Sequence, residues 1–345
     1  MTAMLPAYDI RQTYDWNYEH APPPAVLDVP DCPGTWDFCG IPVNSPLGVP
    51  AGPLLNSGWI LYYASLGFDV LTYKTVRSSY RACYGLPNLL PVRDEALPGE
   101  GGILEQARQA SGSWAISFGM PSRDPAQWLA DVERARLGLR QGQVLVVSVV
   151  ASPDADWTID QVAADFARCA RWAADSGAHV VEANLSCPNV CTQEADLYLS
   201  PLHAAAVASA VRQAVPGLPV ALKVGLFHGA EQAKEVIAAV GPYADALCAT
   251  NSITARVSSN GQPLFDGLRR GIGGTAITAR CLQETAMLAG LLRQSGSTMK
   301  LVSVGGVATP EDVRDRLRAG AHHVQIATAA MLDPSLALRI RKAAL

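Results

Sequence analysis

The stretch Val180-Val-Glu-Ala-Asn-Leu-Ser-Cys-Pro-Asn189 opens as a mostly apolar, β-compatible run and ends in a polar turn locked by Pro188. Parallel strands covered on both faces read as short apolar runs rather than as alternation, so a buried strand is expected over 180–185. The turn then sets Asn184, Ser186, Cys187 and Asn189 at the strand's carboxyl end. Open and closed α/β folds both keep their chemistry at that end. A plain loop carrying a buried structural cysteine is the simpler alternative, and the rest of the chain weighs against it.

Outward from this stretch the same rhythm repeats. Apolar runs, most of them ending on glycine or a polar residue, occur at Pro46–Gly52, Asp69–Lys74, Gln143–Val150, Leu218–Lys223, Ala246–Asn251, Lys300–Gly306 and His323–Thr328. Helical patterns fall between them, near 57–66, 125–139, 156–176, 200–215, 230–240, 279–294 and 310–319, and a last helix follows the final run. Crossover helices imply parallel pairing, and eight strand-then-helix units close a barrel. A doubly wound open sheet is the rival, but it normally carries its Gly-rich phosphate turn after the first strand. Here the Gly-Gly pairs come late, at 273–274 and 305–306. The expected fold is therefore α/β, a (β/α)8 TIM barrel.

Two segments break the rhythm. Residues 76–113 are rich in Pro, Gly and aromatic residues, and Gly267–Gly274 is a second Gly-rich excursion. Long insertions in a compact domain are usually functional, so loops or hairpins over the carboxyl-end face are expected. Before residue 45 only turn signals appear, such as Pro22-Pro23-Pro24 and Cys32-Pro33-Gly34. Residues 1–44 are read as an N-terminal extension packing on a barrel that spans 45–345.

Composition narrows the function. The chain has 345 residues, 49% hydrophobic and 17% charged, which is ample for one large core. The net charge of −4 comes without a basic patch or block of like charge, which disfavours a nucleic-acid partner. No apolar stretch approaches the ~18–20 residues of a membrane span. The first 24 residues lack the apolar core of a secretory signal. Eight cysteines are present, Cys32, Cys39, Cys83, Cys169, Cys187, Cys191, Cys248 and Cys281, with no C-x-x-C among them. Cys187 and Cys191 have no His or further Cys close behind them, so no metal is expected. Reduced thiols in a cytoplasm are the expectation.

On a barrel, Lys74, Asn184, Lys223 and Asn251 would point from their strand ends into one bowl, with Gly305, Gly306 and Thr328 on the adjoining rim. Singly, such lysines are often solvated and such asparagines often turn residues. Together they suit a polar, electron-rich ring system. A lysine stabilises negative charge on a flavin that accepts a hydride, and asparagines bind imide-like edges as donor and acceptor. Late glycines with a threonine suit a phosphate held by backbone N–H groups.

Asn184-Leu-Ser-Cys-Pro-Asn189 resembles the signature of the dihydroorotate dehydrogenase family and of the related domain of dihydropyrimidine dehydrogenases. Pro50-Ala-Gly52, Lys74-Thr75, Leu222-Lys223-Val224, Asn251-Ser252, Gly273-Gly274, Val304-Gly-Gly306 and Gln325-Ile-Ala-Thr328 occur in the family's order, covering roughly residues 45–335. The resemblance implies FMN on the barrel, contacted by Ala51, Gly52, Lys74, Thr75, Asn184 and Lys223. Gly273, Gly274, Gly305, Gly306, Ala327 and Thr328 would lie around its ribityl chain and phosphate. Lys74, Asn184, Asn189, Asn251 and Ser252 would meet the substrate. Cys187, with Lys74 beside it, would be the catalytic base in the oxidation of dihydroorotate to orotate, a step of pyrimidine biosynthesis. Cysteine's ordinary pKa of ~8.5 is close enough to neutrality to be tuned for that work.

The family's membrane-associated branch carries serine at this position and an N-terminal membrane-associating helix. Neither is in this sequence, so the chain resembles the soluble, cysteine-based branch, whose members suggest a homodimer. One subgroup of that branch hands electrons to an iron–sulfur partner chain, and nothing in the sequence indicates one here. Two departures stand out. Where soluble members carry a segment like Asn-Ser-Met-Gly-Leu-Pro-Asn against the substrate, this chain has Ile116-Ser-Phe-Gly-Met-Pro-Ser122. Losing an amide partner in a buried site costs ~1–3 kcal/mol per unpaired group. The loop after Asn189 also lacks the expected glycine and introduces Cys191. The second function to weigh is thus the same flavin barrel acting on another cyclic amide or dihydropyrimidine-like substrate, as a dehydrogenase or ene-reductase. A dihydrouridine synthase-like RNA enzyme would want a basic surface, which is missing. A non-catalytic flavoprotein is the remaining class.

Overall fold

Eight parallel strands close into one barrel in the computed structural model, which describes residues 5–97, 102–109, 112–186 and 196–343. In chain order they are Leu47–Val49, Val70–Val76, Val144–Val149, Val180–Asn184, Val220–Lys223, Ala246–Ala249, Lys300–Val304 and His323–Gln325. Each pairs with its neighbours in sequence, and the last pairs with the first. All six residues of Val144–Val149 are buried, as a strand with barrel interior on one face and helices on the other requires. The outer layer is Ser57–Ser65, Pro125–Gly138, Ile159–Asp175, Pro201–Ala214, Ala230–Val240, Thr278–Gln294 and Pro310–Arg318. Capping boxes at Thr158/Gln161 and Thr309/Asp312 start two of these helices.

Several strands are shorter than their apolar runs. The first ends at Val49 and the last at Gln325. Residues beyond these ends leave the ladder and line the cavity described below. Two short helices, Thr328–Leu332 and Leu336–Lys342, follow the final strand in place of one.

The N-terminal region holds structure that its sequence did not announce. Helix Tyr14–Glu19 is capped by the Thr13 hydroxyl. Trp59 Nε1 donates to the Asn17 carbonyl (2.8 Å) and Asn56 Nδ2 to that of Tyr18 (2.6 Å), which fasten this segment to the first outer helix. An antiparallel hairpin, Trp36–Phe38 with Ile41–Val43, turns through Cys39 and Gly40, both at positive φ. Asp37 Oδ1 accepts from the Gly40 N–H at 2.8 Å. Phe38 and Val43 pack on Val70, Val144, Val180 and Val302 near the amino ends of the barrel strands, and Phe38 meets the His323 ring edge-on at 5.0 Å. Three-residue strands are too short to carry a period, which is why the hairpin was not legible.

The two excursions meet in a second sheet. Ser113–Ile116 pairs antiparallel with both Leu89–Val92 and Arg270–Gly274, and the latter pairs with Ile253–Ser259. Ile103–Glu105 runs parallel to Ile253–Ser259. Gly274 sits at φ +98°, and a Cβ there would lie 2.0 Å from the Gly112 carbonyl oxygen, so no other residue fits. Among the described residues no helix is long and apolar enough to cross a membrane.

Candidate active site at the carboxyl end of the barrel

Between the carboxyl ends of the barrel strands and the second sheet lies a cavity partly open to solvent. Ala51, Gly52, Lys74, Thr75, Asn184, Lys223, Asn251, Ser252, Gly273, Gly274, Gly305, Gly306, Ala327 and Thr328 all line it. The barrel thus brings together every described residue that the sequence singled out for cofactor or substrate. Cys187, Asn189 and Cys191 lie outside the described residues.

Strand geometry explains the grouping. Asn184 and Lys223 stand side by side because their strands pair in that register. Lys74 and Thr75 both reach the cavity although successive strand residues normally face opposite ways. The ladder to the third strand shifts register between Tyr73 and Val76, and that irregularity turns both residues inward. Lys74 and Lys223 are each only 6% exposed. Lys223 has no carboxylate in ion-pair contact among the described residues.

A hydrogen-bond chain crosses the strand ends. Ser148 Oγ and Thr75 Oγ1 lie 3.0 Å apart, and Asn184 Nδ2 donates to Thr75 Oγ1 at 3.3 Å and to Met120 Sδ at 3.8 Å. Asn184 Oδ1 accepts from the Ser186 N–H (3.2 Å), and Asn251 Nδ2 donates to the Ser186 carbonyl (2.6 Å). Ser186 also forms a bridge to Asp196, which draws together the two described ends that flank residues 187–195.

The glycine rim is held from behind. Gly305 and Gly306 have φ of +106° and +77°, and a Cβ on Gly306 would lie 2.4 Å from Thr278 Cα. Thr278 Oγ1 donates to the Gly306 carbonyl (2.6 Å), while the buried Arg316 guanidinium donates to the carbonyls of Gly305 (2.8 Å) and Thr278 (2.9 Å). Burial pushes the Cys281 thiol, beneath Gly305, up to about 11. That thiol is therefore inert filler at neutral pH.

Several lining residues escaped the sequence reading. Trp114 directly follows the first excursion, and Glu182 and Gln325 stand on the barrel's inner face, whereas Ile116, Phe118 and Met120 belong to the segment already matched to a substrate contact. The inward set follows from alternation, since Glu182 lies two residues before Asn184 on the same face. The aromatic roof had no such signal. Of the two departures within the 116–122 segment, Ile116 lines the cavity whereas Ser122 does not. Ser122 Oγ accepts from the Arg77 N–H (3.0 Å) and donates to the Arg123 carbonyl (2.9 Å), so it fastens a loop instead of meeting a ligand. Among the described residues, Trp114 Nε1 and Gln325 Oε1 are buried around this cavity without a hydrogen-bond partner, and Glu182 and Thr250 have only weak thiol partners, Cys248 and Cys281.

A closed (β/α)8 barrel with two buried lysines, amides and a glycine rim at its carboxyl end defines a ligand-binding barrel of enzymatic type. The model of the dihydroorotate dehydrogenase family matches residues 122–343. A dihydroorotate dehydrogenase of Dictyostelium discoideum is 30% identical over 97% of this chain and 96% of its own length. A quinone-dependent dihydroorotate dehydrogenase of Streptomyces coelicolor is 30% identical over 83% of this chain and 73% of its own. The crystal structure of the Eimeria tenella enzyme in complex with ferulenol superposes with a TM-score of 0.77 over 95% of this chain and 88% of its own, at 16% identity, a likeness of fold. The chain belongs to the dihydroorotate dehydrogenase family.

Proposed function

We propose that this chain is an FMN-dependent oxidoreductase that converts dihydroorotate to orotate. The observation that carries the reading is Lys223, a buried ammonium at the cavity wall with no carboxylate in ion-pair contact among the described residues. A charge kept from water is costly unless a partner meets it. The pyrimidine edge of a flavin, which gains negative charge on reduction, is such a partner, and Lys74 supports it from across the bowl. The glycine rim suits a phosphate, because it brings backbone close where any Cβ would collide. The donor set therefore fits FMN.

Bound FMN would supply the hydride acceptor. Lys74 and Lys223 stabilise the charge that arrives with the hydride. Asn251 and Ser252 bind the substrate's polar edge, and Asn184 orders Thr75 and the backbone of Ser186. Cys187 would take the proton from the C–H next to the substrate carbonyl, and Ile116, Phe118 and Met120 would keep water from the reacting carbons. Asn189 would bind the substrate as well. We read the protein as a cytoplasmic homodimer.

The alternative substrate, another cyclic amide, is favoured by Ile116, an apolar wall where the family's soluble members place an amide. Purified protein should be yellow and keep its flavin spectrum through gel filtration. Anaerobic dihydroorotate should bleach it, and Cys187→Ala should keep the colour while losing the fast bleaching. A yellow protein that dihydroorotate leaves unbleached for minutes selects the other substrate. A protein that stays colourless after reconstitution with FMN overturns both readings.

A further inference from the structure

We propose that Glu182 is a positioning residue that sets the flavin's reduction potential by restraining the charge of Lys223. The inference rests on the flavin reading above.

Glu182 is 1% exposed on the inner face of the barrel, beneath the cavity it helps to line. No N–H or O–H donor reaches either carboxylate oxygen among the described residues, and the neighbouring Cys248 thiol is its one weak donor. Its strand partner is Ala221, and Lys223 lies two residues further on, opposite Asn184. Strand side chains alternate, so Glu182 and Lys223 are diagonal neighbours on one interior surface. Cys248 stands beside Lys223 in register on the next strand. Burial first and then Glu182 push the Cys248 thiol well above its ordinary range, while Lys223 draws it down. The thiol thus feels both charges, which share one dry neighbourhood.

A buried carboxylate that accepts only from a weak thiol donor is a poor fold stabiliser, since most of its desolvation goes uncompensated. Its negative field does have a consequence for the flavin. In a water-poor interior it offsets part of the positive potential that Lys223 presents to the ring. Without it, Lys223 would hold the negatively charged reduced cofactor more tightly relative to the oxidised one.

The test is an anaerobic redox titration of FMN-loaded protein against reference dyes. Glu182→Gln keeps the shape and removes the charge. It should raise the ratio of affinities for reduced over oxidised FMN about tenfold, which moves a two-electron midpoint up by about 30 mV. In a Lys223→Met background, whose own midpoint should lie lower, the same substitution should raise the midpoint by a similar amount, because the two fields add at the ring. Glu182→Asp, which retains the charge and guards against a folding defect in the amide variant, should stay near wild type. An unchanged or lowered midpoint in Glu182→Gln, a shift that vanishes without Lys223, or an aspartate variant that shifts as far as the amide would each overturn the proposal. Wild-type protein that takes up no FMN would instead defeat the flavin reading itself.

Discussion

The two ends of the barrel are built from the same strands and are opposite in character. At the amino end the hairpin sets Phe38 and Val43 onto a floor of valines, and the strand interiors there are apolar. At the carboxyl end the same strands finish in Lys74, Thr75, Asn184, Lys223 and Asn251 around a cavity. Among the described residues, poorly partnered buried polar atoms cluster at that end, on Trp114, Glu182, Thr250 and Gln325, against a single one, His323 Nε2, on the floor. Each such group costs ~1–3 kcal/mol unless something meets it. The amino end therefore holds the barrel together, and the carboxyl end spends part of that stability on groups that wait for a ligand.

The sharpest way to break the contrast is at the floor. Phe38 is 1% exposed, and Phe38→Ala should cost about 4 kcal/mol in denaturant unfolding. FMN affinity per folded molecule should stay within about twofold, because the ring lies at the far end from the cavity; a large loss of affinity would mean the ends are coupled.

The floor also carries a pH signature. Burial holds His323 down to about 4, with the nearby His322 and Lys300 adding to the depression against Asp37. The unfolded chain protonates a histidine near 6.5, so between these values it carries the extra proton and the folded state does not. Stability should fall as the pH drops from 6.5 to 4, by about 3 kcal/mol at full extent, and be flat from this source above 6.5. Burial lowers His179 and His322 as well and adds to the slope. His323→Phe should flatten the acid limb of the stability curve; an unchanged limb would assign it to other groups.

At the other end the expected effects are smaller and fall on binding. Ile116→Asn restores an amide to the cavity wall. If the substrate is dihydroorotate, its KM should fall by about 5- to 100-fold, equivalent to ~1–3 kcal/mol. If the natural substrate is another cyclic amide, the change should weaken that substrate instead. Ser122→Ala, at the departure that the structure takes out of the cavity, should cost ~1 kcal/mol of stability through its lost loop bonds and leave KM unchanged.

Legibility in the sequence followed the range of the forces involved. All eight barrel strands could be read, because an apolar run between amphipathic helices is a local pattern. The strand-end lysines and asparagines were legible for the same reason, once a barrel was expected. The hairpin at Trp36–Val43 was not, since three residues carry no period, and its apolar partners lie elsewhere along the chain. The two departures looked alike in sequence and separated in space, with Ile116 on the wall and Ser122 bonded to its own loop.

By itself the sequence determined the βα rhythm, the closure at eight units and the chemistry at each strand end. Only the tertiary structure decided that Ser113–Ile116 pairs with Arg270–Gly274 to roof the cavity, and that Lys74 and Thr75 both turn inward. It also decided which buried polar groups were left unmet. Strand and helix periods record each residue's own burial, whereas pairing between remote segments and register shifts depend on which surfaces remain uncovered after the barrel has closed.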